Sequence, residues 1–188
     1  MAVEVATARR RFTREEYNRM AEVGILKPAD RVELIRGEII EMSPPGRRHI
    51  AFVNNLNRLL VRRLGDRAIV SVQNPVAFTE DTEPQPDLAV CRERTVPYKD
   101  REPYAEDVVL LIEVADTSLR YDRSTKLRLY AAAGVPEYWL VDCTAESVEV
   151  FRSPGAEGYR DVSRAAGEGT VTVAAFPDVT LRIAEVFA

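Results

Sequence analysis

Residues 107 to 115, DVVLLIEVA, place one carboxylate, Glu113, near the end of an apolar run. The length and β-branched content of the run read as a buried strand. Burying an unpaired carboxylate is costly, so a partner, a proton or a metal must answer for Glu113. Any fold open to this chain therefore has to bring compensating chemistry to one end of a sheet.

The best companion is Asp87 in EPQPDLAV, where Pro84 and Pro86 hold the entry extended and a short strand follows at once. If PDLAVCR and VVLLIEV are neighbours, the two carboxylates face each other at one end of the sheet and repel unless a cation lies between them. Magnesium fits that position, since it takes one or two carboxylates, several waters and substrate phosphate at about 2.0–2.1 Å. The chemistry indicated is phosphodiester hydrolysis. Ala115 shares the face of Glu113, where a lysine two residues on would stand. Lys126, on the next element, can return its ammonium to the site, and Asp122, four residues earlier, can position it. By spacing alone, that pair reads equally well as an exposed bridge worth about 0.3–0.5 kcal/mol.

The bulk properties narrow the field. The 188 residues fit one domain with a short N-terminal appendage. No run approaches the roughly 20 apolar residues of a membrane span. The N-terminal basic cluster is followed by no apolar stretch, so a secretory signal is not expected and a cytoplasmic location is. Cys91, Cys143 and the only histidine, His49, lack zinc-site spacing, which leaves free buried thiols as the expectation. A net charge of -4 argues against a broad nucleic-acid-coating surface. It leaves room for a local basic groove built from the arginines at 9 to 14, 46 to 49 and 61 to 64, although solvated helix faces are the commoner use of such clusters.

Along the chain, Thr13 and Glu16 form a capping-box pattern that starts a short helix ended by Gly24. RVELIRGEIIEM predicts a tight hairpin at about 31 to 42, turning at Arg36-Gly37. HIAFVNNLNRLLVRRLG spaces its apolar residues by three and four, a long amphipathic helix closed by Gly65. Strands are expected in AIVSVQNPVAF, PDLAVCR and DVVLLIEVA, then a helix over roughly 122 to 133, then the strand EYWLVDC. The remaining segments to residue 188 alternate in the β manner and predict a meander that extends or covers the sheet. The fold class is mixed α/β. The organisation is a helix and hairpin over 1–45, a core over 46–143 and a β extension over 144–188.

These residues resemble a known group. PD at 86 to 87, a glutamate in a hydrophobic strand 26 residues later and a lysine displaced onto the next helix look like a PD-(D/E)XK nuclease core. EVADTSLRYDRSTKLRLYAAAGVPEYWLVD, with RVELIRGEIIEMSPPGRRHI and PDLAV, is similar to the Uma family of restriction-endonuclease-like proteins. The resemblance implies an αβββαβ core, Asp87 and Glu113 as metal ligands joined by the Val114 carbonyl, and Lys126 as the catalytic lysine. The wider superfamily takes a further glutamate from the first core helix, which has none here, and Glu33 of the hairpin is the substitute. His49 then binds phosphate or orders a water, against its commoner use as a cap or packing residue. EVADTS departs from the family's EV-x-S at Ala115 and Asp116, while Ser118 keeps a hydroxyl that can cap the next helix.

Gln73 can point into the same cleft or simply be solvated. Tyr130, Tyr138 and Trp139 read as core packing before stacking on bases, and Asp142 as a turn residue. Two functions stand: a Mg²⁺-dependent endonuclease acting on DNA, with Mn²⁺ as substitute, and a nuclease-fold protein that binds nucleic acid or a protein partner without cutting. A phosphotransferase is disfavoured, because GxxxxGK and GxSxG are both missing. Monomer and homodimer both stay open.

Overall fold

Thr13 caps the first helix, α1 (Arg14–Glu22), through the expected box: Glu16 N–H donates to Thr13 Oγ1 at 3.2 Å and Thr13 N–H to Glu16 Oε2 at 3.0 Å. The structure is a computed structural model and describes residues 9–27, 29–94 and 98–188. The hairpin follows as β1 (Val32–Ile35) and β2 (Glu38–Glu41), paired in antiparallel register. Its two-residue turn needs left-handed backbone at both positions, with φ of 51° at Arg36 and 77° at Gly37.

The long helix α2 (Arg47–Leu64) presents Phe52, Val53, Leu56, Leu60 and Leu64 as one buried stripe and stops at Gly65. The strands β3 (Ala68–Val72), β4 (Leu88–Arg92) and β5 (Val108–Ala115) then lie side by side in antiparallel order. After β5 the chain crosses over through α3 (Leu119–Tyr121), a π-helical turn over Asp122–Lys126 and α4 (Leu127–Ala132). It returns as β6 (Glu137–Asp142), parallel to β5. The strands β7 (Ser147–Gly155) and β8 (Gly158–Ala166) extend the sheet to the order β3-β4-β5-β6-β7-β8. This is a mixed α/β architecture with an αβββαβ core.

Both faces of the sheet are covered at its centre, which is why β5 is buried along its whole length. Leu110, Ile112 and Val114 pack under α2, together with Trp139 and Val141 of β6. Leu111 and Ala115 point to the other face, with Leu129, Tyr130 and Tyr138. Glu113 shares that second face by strand alternation. Tyr130, Tyr138 and Trp139 are fully buried, in keeping with core packing, and both cysteines are free and buried.

Three boundaries differ from the sequence expectation. The strand expected over 68–78 ends at Val72, because Gln73 adopts φ of 50° and turns the chain out of the sheet. The crossover helix begins at Leu119, ahead of residue 122. The C-terminal meander stops short: β9 (Thr170–Thr172) and β10 (Thr180–Arg182) pair only with each other, and the last alternating segment closes as α5 (Ile183–Val186). Ile183 and Val186 join the core beneath α2, so a single helical turn buries what a strand would have divided between two faces.

Candidate active site

Five elements converge at one end of the sheet. In the β4–β5 register Leu88 faces Ile112, so the next pair outward is Asp87 and Glu113. Asp87 N–H donates to Glu113 Oε2 at 3.3 Å, and Val114 N–H donates to Asp87 Oδ2 at 2.9 Å. The π-helical turn delivers Lys126, whose Nζ donates to Glu33 Oε2 at 2.8 Å and to Glu113 Oε1 at 3.0 Å. Burial is nearly complete: Glu33 is 1% exposed, and Glu113 and Lys126 are each 4%. From the third residue of α2, His49 Nε2 lies 2.9 Å from Asp87 Oδ1, and Gln73 Nε2 donates to the same oxygen at 3.1 Å. Glu33, His49, Gln73, Asp87, Glu113 and Lys126 therefore meet at a cavity of about 320 Å³, bounded by the 43–46 loop and by Asp116–Ser118, while Val114 is not among its lining residues.

Several contributors are not visible as site residues in the sequence. Tyr130 O–H donates to Glu113 Oε1, and Tyr121 O–H donates to Glu33 Oε1 at 3.4 Å. Gln85 N–H donates to Glu33 Oε2 at 3.2 Å. Tyr130 is four residues beyond Lys126 on the same helical stripe, and that spacing was the available signal. Two expected pairings take another form. Among the described residues no ion pair joins Asp122 to Lys126, because the i→i+5 turn shifts their alignment and Lys126 turns to Glu33 and Glu113. Ser118 makes no side-chain cap to the backbone and donates instead to Asp122 Oδ2. Asp142 is a turn residue, its Oδ1 accepting from the Thr144 and Ala145 N–H groups at 2.9 Å.

The electrostatics follow from burial. Burial drives the Glu113 carboxyl well above its usual range, with Asp87 pushing the same way and Lys126 opposing. Burial also lifts Asp122 to about 6, against the Ser118 hydrogen bond and Lys126. Asp87 is the reverse case: burial would raise it, but the His49 contact and the Val114 and Gln73 donors together hold it below the ordinary value. For Lys126 burial favours loss of the proton, and Glu113 and Glu33 overcome that and hold the ammonium charged. Four carboxyl groups, Glu33, Asp87, Glu113 and Asp122, thus line one cavity with Lys126, and Glu33 and Glu113 pair with its ammonium.

The donor set suits a hard, oxygen-seeking cation. Asp87 and Glu113 supply carboxylate oxygens. Extending the β4–β5 register by two residues sets Pro86 opposite Val114, and proline has no N–H to offer the Val114 carbonyl. That carbonyl lies on the same strand edge as the Val114 N–H that meets Asp87, so it is a third oxygen on the same side. Among the described residues, no group of three or more His, Cys, Asp or Glu side chains is arranged as a ready metal cluster. Two carboxylates and one backbone carbonyl remain a sufficient set for magnesium, which keeps several waters.

Residues 14–184 match the Uma2 family, whose description is "Putative restriction endonuclease". The chain belongs to the Uma2 family. A solved structure described as a "putative nuclease belonging to DUF820 from Anabaena variabilis" superimposes with a TM-score of 0.74 at 18% identity, covering 94% of this chain and 97% of that one. At that identity the likeness establishes a shared fold. No curated protein matches. The Uma2 assignment and the superposition agree with the resemblance carried by EVADTSLRYDRSTKLRLY and PDLAV, and they support a nuclease-like protein in general terms. No helix among the described residues is long and apolar enough to cross a membrane.

Proposed function

We propose that this Uma2 protein is a cytoplasmic, magnesium-dependent endonuclease that hydrolyses phosphodiester bonds of DNA. The observation that carries this reading is the set of groups at the cavity: Glu33, Asp87, Glu113 and Asp122 line it with Lys126, and Asp87, Glu113 and the Val114 carbonyl share one strand edge. Asp87, Glu113 and the Val114 carbonyl would hold the cation, with manganese as a substitute, and a bound cation supplies Lewis-acid stabilisation of phosphate charge and makes water more acidic. Lys126 stabilises the charge that builds on the phosphate and orients the attacking water. Glu33 and Tyr130 fix Lys126 and Glu113 in position, and His49 keeps Asp87 ionised and aimed. Water adds to phosphorus, the bond to one sugar oxygen breaks, and that oxygen leaves with a proton.

One observation favours a second reading, a nuclease fold that binds without cutting. Lys126 is held by two glutamates at once, and every oxygen of Asp87 and Glu113 already accepts a hydrogen bond from the protein. Incubation of the purified protein with single-stranded, duplex and branched DNA separates the two. Cutting that requires Mg²⁺ or Mn²⁺ and disappears in Asp87→Asn and Lys126→Met supports the nuclease. An intact fold that binds DNA and cuts none of the three substrates supports the other reading.

A further inference from the structure

In a chain with more acidic than basic residues, the 18-residue helix α2 carries five arginines and no acidic side chain at all. The stripe opposite its buried face holds Arg47, Ile50, Ala51, Asn54, Arg58, Val61 and Arg62, all exposed. At 100° per residue, Arg47, Arg58 and Arg62 fall within about 60° of one another, and they span about 22 Å along the axis. Among the described residues no acid forms an ion pair with any of the three. Glu185 is taken by Arg63 and Arg182, and Asp178 by Arg67, while Arg58 donates only to Asn55 Oδ1. Among the described residues, Arg47 and Arg62 make no side-chain hydrogen bond or ion pair. The same helix leads directly into the site, since Gly46 lines the cavity and His49 touches Asp87.

We infer that the exposed face of α2 is the track that holds the DNA backbone, with Arg47 and the Arg58–Arg62 pair contacting separate phosphates on the way to the Asp87–Glu113 cavity. This rests on the nuclease reading for the identity of the polyanion. The physical basis is complementarity. Guanidinium forks match phosphate oxygens, and a basic stripe on an otherwise acidic protein concentrates a polyanion at that face. It also answers the difficulty of an acidic cavity receiving an acidic substrate, because the attraction comes from the helix beside the cavity.

The test is fluorescence anisotropy of a labelled duplex with the full-length protein in EDTA, so that binding is read without cleavage, across a series of salt concentrations. The variants are Arg58→Ala with Arg62→Ala, and Arg160→Ala on the far edge strand as a control. Each lost phosphate contact removes about 0.9 from the slope of log affinity against log salt. The double variant is expected to lose about 2 from that slope and, if the two proteins bind alike at about 1 M salt, to bind about sixtyfold more weakly near 0.1 M salt, with the control unchanged. An unchanged slope in the double variant overturns the inference, as does a wild-type protein that does not bind. A double variant that alters self-association in sedimentation while leaving DNA binding intact also overturns it, by assigning the face to a second copy. Cleavage with Mg²⁺ is scored separately. Cutting with no change in slope removes the track and leaves the nuclease, and the reduced slope without cutting removes the nuclease and leaves the track.

Discussion

Replacing Lys126 by methionine keeps the length of the side chain and removes the one ammonium between Glu33 and Glu113. Breaking a buried ion pair from one side costs about 3–5 kcal/mol, because the remaining charge is left without compensation. The abandoned Glu113 can escape by taking a proton, which sets a ceiling on the cost. Each pH unit above the ordinary carboxyl value of 4.5 makes that proton dearer by about 1.4 kcal/mol. The ceiling is therefore about 4.8 kcal/mol near pH 8 and about 2 kcal/mol near pH 6.

The direction of the pH effect is fixed by the same argument. A carboxyl raised by burial keeps in the folded state a proton that the unfolded chain has released. Its contribution to stability is full below 4.5 and falls away as pH rises through the folded value. Loss of Lys126 raises Glu113 further, so the penalty grows as pH rises above the wild-type folded value. Thermal unfolding in EDTA should show Lys126→Met melting about 6–20 °C below wild type near pH 8, with a clearly smaller gap near pH 6. A gap that is absent near pH 8, or that does not shrink on acidification, would mean that Glu113 is not left uncompensated when Lys126 is removed.

Tyr130→Phe removes a buried donor from Glu113 Oε1 and should cost about 1–3 kcal/mol in denaturant titrations. The acid limb of its pH–rate profile for DNA cleavage should move to higher pH, because Glu113 loses a group that favours its charged form. His49→Gln weakens the contact that holds Asp87 below 3.8. A lowered carboxyl contributes stability above 3.8 that is lost as pH falls through its folded value, so the variant should begin acid unfolding at a higher pH than wild type. Leu110→Ala empties a fully buried position on β5 and should destabilise by about 2–5 kcal/mol. Trp139, the only tryptophan and fully buried, reports that unfolding through a red shift in its emission.

How far the site could be read from the sequence depended on whether chemistry left a local mark. Glu113 stood out because a charge in an apolar run conflicts with burial, and Asp87 because a proline-held entry precedes a strand. Both sit where alternation and adjacency put them. Lys126 had no local mark of its own, since the same spacing fits a surface bridge, and the family-like pattern around it decided its place. Gln85 and Tyr121 reach Glu33 only through tertiary packing. The π-helical turn has no residue signature, so the break between Asp122 and Lys126 could not be foreseen from an i,i+4 rule. Helix α5 was missed because four residues are too few to display a helical period, and its capping pair, Arg182 with Glu185, carries no serine or threonine.

On the nuclease reading, a divalent cation answers the facing Asp87 and Glu113 carboxylates. Isothermal titration of Mn²⁺ into the wild-type protein and into Asp87→Asn tests it most directly. One saturable site is expected in the wild type, lost in the variant while Trp139 emission shows the fold intact. Equal binding by both proteins, or none by the wild type, would contradict it.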